Sequence, residues 1–104
     1  MNDAEKLLTE GDYPQASEKL WGAVAQMIKT IAASHRWRHS SHRDLRGAIG
    51  RLYEQSGDRE LPRLFSVAES LHANYCEDYM EPNIVRLHAD DVRNLIEKLQ
   101  PFAN

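Results

Sequence analysis

The run "DYPQASEKLWGAVAQMIKTIAAS", Asp12 to Ser34, constrains the fold more than any other stretch, because its apolar residues form two adjacent helical stripes. Leu20, Val24, Met27 and Ile31 make one stripe, and Trp21, Ala25, Ile28 and Ala32 make the next. A surface helix buries one face. A helix with two must lie at the centre of a bundle or present its surplus face to another subunit. Asp12 is placed to cap it, and Pro14 is tolerated in its first turn. Gly22 costs roughly 1 kcal/mol relative to alanine in a helix interior, which a close helix contact would explain.

The remaining segments repeat the helical period, and no alternating strand pattern is sustained. "NDAEKLLTEG" predicts a short first helix that stops at Gly11. A third helix is expected from after Ser41 to near Gly57, on the apolar face of Leu45, Ile49, Leu52 and Tyr53. A fourth is expected from about Arg59 or Leu61 to Tyr79, on Leu61, Leu64, Phe65, Ala68, Leu71 and Tyr75. "MEPN" breaks that pattern, with Glu81 pushed toward extended geometry by Pro82. A last helix is expected from about Ala89 to Gln100, with Asp90 and Asp91 at its positive end and Phe102 packing back. Four or five helices joined by short loops give an all-α, up-and-down bundle formed by residues 1–104 as one domain. The surplus stripe on the second helix favours a homodimer.

Composition narrows the function. A net charge of -3 argues against a protein coated in basic charge for bulk nucleic-acid binding, although a local patch remains open. Cys76 is the only cysteine, which excludes an intrachain disulfide and a Cys-rich zinc site. No apolar run approaches the roughly 20 residues that span a bilayer, and the acidic N-terminus lacks a signal-peptide core. A cytoplasmic location without membrane attachment is expected. No glycine-rich phosphate loop is present, and no cofactor is expected.

The basic stretch "HRWRHSSHRD", His35 to Asp44, is the candidate site. Part of it reads as two helix ends. Ser41 with Asp44 three residues later resembles a capping box, and His35 and Arg36 suit the negative end of the preceding helix. The same geometry suits an anion. Amides at the start of a helix attract phosphate, and Arg36, Arg38 and Arg43 can add charge-assisted bonds. Trp37 can stack on a base. His39 and His42 carry imidazoles, a group that ordinarily titrates near pH 6.5 and transfers protons near neutrality. The histidines at 35, 39 and 42 also have a metal-like spacing, but no carboxylate is fixed beside them and no metal is expected. His72 and Cys76 share one face of the fourth helix, in a segment that also carries Asn74, Glu77 and Asp78.

In their order and spacing, "GDYPQASEKLWGAVAQMIKTIA", "WRHSSHRDL", "LFSVAESLHANYCEDYM" and "DDVRNLIEKL" closely resemble the PaREP family of small archaeal and bacterial helical proteins, placed near the HEPN superfamily. The resemblance covers nearly the whole chain. It implies a HEPN-like bundle of four to five helices that often dimerises. It also implies RNA cleavage, nucleotide binding, or a toxin–antitoxin-like pair with a nucleotidyltransferase partner. The HEPN catalytic signature is an arginine followed, after four to six residues, by a histidine near the start of the last long helix. At that place this chain reads "NIVRLHADD", with Arg86 and His88 one residue apart. The family spacing occurs instead from Arg36 to His42, which makes those two the candidates for a metal-independent ribonuclease. The resemblance further brings the fourth-helix segment toward the arginine-rich loop, where Glu77 or Asp78 would pair with Arg36 or Arg43. The expected function is therefore a nucleotide- or RNA-phosphate-binding module. The alternatives are a non-enzymatic assembly protein and a ribonuclease.

Overall fold

The second helix lies at the centre of the molecule and touches all four others. The computed structural model describes residues 2–103. It is an all-α bundle of five helices: α1 (Asn2–Glu10), α2 (Tyr13–Ser34), α3 (His42–Ser56), α4 (Glu60–Glu77) and α5 (Pro82–Ala103). Both stripes of α2 are consumed inside the chain. Leu20, Val24, Ile28, Ile31 and Ala32 are fully buried, and Trp21 and Ala25 nearly so. Of the two roles open to a doubly apolar helix, α2 takes the central one. Its second stripe needs no partner subunit.

The termini follow from local chemistry. Gly11 adopts φ 80°, and the amides of Gly11 and Asp12 bond back to Leu8 and Leu7, closing α1 in a left-handed turn. Asp12 then caps α2 by accepting the Gln15 amide at 3.2 Å. Gly57, at φ 71°, ends α3 through a single bond from its own amide to the Tyr53 carbonyl at 2.7 Å.

Several expectations are corrected. The fourth helix stops at Glu77 rather than Tyr79, because the side chain of buried Asn74 accepts the amides of Tyr79 and Met80 and turns the chain out. The last helix begins at Pro82, seven residues before Ala89, and runs to Ala103 rather than Gln100. Proline lacks the amide that a first helical position would leave unpaired, so Pro82 starts a helix here. The early turns are then held by Val85 and Ala89 in the core, and Asp90 and Asp91 fall mid-helix. Gly22 is exposed, and a Cβ there would meet nothing within 4 Å, so no close helix contact explains it. Tyr53 is likewise more than a third exposed, and the buried face of α3 is Leu45, Ala48, Ile49 and Leu52. Phe102 packs against the core as expected. No helix is long and apolar enough to cross a membrane among the described residues.

Candidate functional site

The basic stretch folds into an unusual helix end. The amide of Trp37 bonds to the Ala32 carbonyl at 2.8 Å and that of Arg36 to Ala33 at 3.1 Å, the paired bonds that close a helix through one left-handed residue. That residue is Arg36, at φ 60°, where glycine is the residue of least strain. The chain leaves α2 through Arg38 and His39 and enters α3 through a complete capping box. Ser41 Oγ accepts the Asp44 amide at 3.0 Å, and Asp44 Oδ2 accepts the Ser41 amide at 3.2 Å. Asp44 Oδ2 also takes the Ser40 amide and hydroxyl. These bonds, led by the one from the Ser41 backbone, hold the Asp44 carboxyl below the ordinary aspartate range.

Between these two helix ends lies a concavity of about 380 Å³. Arg36, Trp37 and Arg38 of the connection line it together with Arg43, Asp44, Gly47, Ala48 and Arg51 of α3. Among the described residues, none of the four arginines forms an ion pair. Trp37 is half-buried against the core, stacked on His35 with ring centroids 4.4 Å apart, and Arg51 sits 5.1 Å over its ring. The indole thus has two neighbours where a base was expected to stack. Arg51 was missed in the sequence, yet Arg43, Gly47 and Arg51 recur every four residues on one face of α3 and carry a readable signal.

The histidines do not join this groove. His39 is exposed, with Nδ1 donating to the Trp37 carbonyl at 3.0 Å. His42 turns to the seam with α2 and α4. Its Nε2 donates to Glu69 at 2.5 Å, and its ring stacks on Trp21 with centroids 4.9 Å apart. Arg46, one turn further along α3, donates to the same Glu69 oxygen at 2.6 Å. His72 stands 6.1 Å from His42, centroid to centroid, and donates through Nδ1 to Glu18 at 2.9 Å. Here the structure joins two histidines that the sequence assigned to different clusters. Glu18, Glu69, Arg46 and Trp21 complete the seam and were not anticipated, because cross-helix partners leave no local spacing. Each histidine has one ring nitrogen tied to a carboxylate, an arrangement that orients an imidazole and fixes which nitrogen carries the hydrogen.

The remaining candidates have other duties. Asn74 is fully buried and donates to Ser17 Oγ at 3.0 Å while holding the α4 terminus. Asp78 closes α4 in a left-handed conformation at φ 48°. Glu77 and Asp78 are exposed and reach neither Arg36 nor Arg43, so the carboxylate that ties α4 to α3 is Glu69. Cys76 is exposed. No group of three or more histidine, cysteine or acidic side chains is arranged to hold a metal among the described residues. Arg86 donates to the Tyr13 hydroxyl and stacks on its ring, and His88 lies near Asp91, so the last helix does not bring these two into one site.

Fold and groove together define a small all-α bundle protein whose α2–α3 corner carries a cluster of arginines. The family model of the archaeal PaREP1/PaREP8 family matches residues 1–96, and the chain belongs to that family. A crystal structure of a protein from Sulfolobus solfataricus is similar throughout. It is 23% identical, with a TM-score of 0.85 over 99% of this chain and 92% of that one, a likeness that shows the fold. No functionally curated protein matches the chain.

Proposed function

We propose that the protein is a phosphate-binding module for a nucleotide or RNA, with its site in the α2–α3 groove. The observation that carries this reading is the gathering of Arg36, Arg38, Arg43 and Arg51 around one concavity, with no carboxylate paired to any of them among the described residues. Four like charges repel one another, and that cost is relieved when an anion enters. Guanidinium groups match phosphate oxygens in fork geometry and charge. The test is a calorimetric titration with ATP at rising salt, repeated with Arg43→Ala. Affinity is expected to fall as salt rises, and the variant is expected to bind about tenfold more weakly. Binding indifferent to both changes would remove the groove from the function.

A second reading, a protein whose task is assembly, is favoured by Ile84 and Leu87, which share one face of α5 and are 37% and 55% exposed. It predicts self-association or partner binding that ignores both salt and Arg43. The ribonuclease reading paired His42 with Arg36. The two lie in different places, with His42 held between Glu69 and Trp21 and Arg36 lining the groove.

A further inference from the structure

We infer that the groove recognises a compact oligophosphate through its phosphates and does not tell adenine from cytosine. The inference rests on the phosphate-binding reading above and specifies the ligand of that site. Its first support is the stock of hydrogen-bonding groups. The side chains around the groove are four arginines and Trp37, which only donate, together with Asp44 and Ala48. The one side-chain acceptor among them is Asp44, whose Oδ2 takes the amides of Ser40 and Ser41 and the Ser40 hydroxyl, so that Oδ1 alone is left to meet an amino group. The amino groups of adenine and cytosine need an acceptor to be read, whereas guanine also offers O6 and N7 to an arginine fork. Phosphate oxygens present acceptors alone, and the groove answers those.

The second support is the indole. Among the described residues Trp37 is the only aromatic side chain around the groove, and it is stacked on His35 while the Arg51 guanidinium lies over its ring. A nucleobase would have to displace one of these contacts to stack there. The third is charge density. Four guanidinium groups surround one concavity of about 380 Å³. A nucleic-acid strand carries one charge per nucleotide. A triphosphate concentrates its charges on adjacent groups and neutralises such a cluster within one small volume.

The experiment titrates the full chain with inorganic triphosphate, ATP, CTP, adenosine and a short oligouridylate at one fixed ionic strength. Triphosphate, ATP and CTP are expected to bind within about threefold of one another, and adenosine not at all. Oligouridylate is expected to bind at least about tenfold more weakly than triphosphate. Arg51→Leu, checked for an unchanged circular-dichroism spectrum, should weaken triphosphate and ATP by the same factor. Arg43→Ala serves the same purpose should Arg51→Leu fail to fold. ATP and CTP differing by more than about tenfold, or either exceeding triphosphate by that margin, would overturn the indifference to adenine or cytosine and leave the phosphate site standing. Oligouridylate binding more tightly than triphosphate would overturn the preference for a compact ligand. No saturable binding of any phosphate would end both this inference and the reading beneath it.

Discussion

Arg36 occupies a backbone position that suits it poorly. A side chain at φ 60° crowds its own carbonyl, and glycine in that place of a helix end avoids the strain. Arg36→Gly is expected to stabilise the fold by about 0.5–1 kcal/mol in a denaturant melt while weakening ATP binding. A variant that loses stability, or binds unchanged, would show that the arginine is there for packing. Asn74 makes the opposite point. It reads in the sequence as one of several polar groups near a site, but burial turns its amide into the tie between α2, α4 and the start of the α4–α5 connection. A buried amide needs every partner it can find, and which partners exist is set by the helices around it.

At the scale of the element, α3 is the helix on which the site depends. It is held by α2 and α4 alone among the closely packed pairs, with its polar fastening at His42, Arg46 and Glu69 and its start at the Ser41 box. Ser41→Ala is expected to cost about 1 kcal/mol of stability and to raise amide exchange in the first turn of α3 before the rest of the bundle. Acid should act on the same element. The Asp44 carboxyl is held low chiefly by the Ser41 amide. That of Asp58, between α3 and α4, is held low chiefly by the Lys98 side chain. A carboxyl with a depressed folded-state pKa stabilises the fold above its unfolded pKa, and the stabilisation is lost as pH falls through the lower folded value. Stability should therefore decline below about pH 4, and Asp58→Asn should flatten that decline in an acid titration followed by circular dichroism. The capping box was legible because its partners lie three residues apart. The early start of α5 was not, because Pro82 signals a helix break and a helix start with the same residue, and only the burial of Val85 and Ala89 chooses between them.

For the whole molecule, the decisive fact is that α2 is surrounded. Ile28, fully buried on its second stripe, shows what that requires. Ile28→Ala should lower unfolding free energy by about 2–5 kcal/mol, with the spread set by how far neighbouring helices close the cavity. A loss near zero would mean that the stripe is not core. Periodicity, caps and turn residues in the sequence were sufficient for an all-α bundle, for α1 to α3 close to their observed ends, and for the arginine-rich corner, because each depends on residues a few positions apart. The tertiary structure alone decided that the surplus stripe of α2 faces its own chain, that Arg51 joins the groove, and that His42 leaves it for Glu69 and Trp21. Those outcomes turn on which helix faces meet, and contacts between residues dozens of positions apart have no period along the chain.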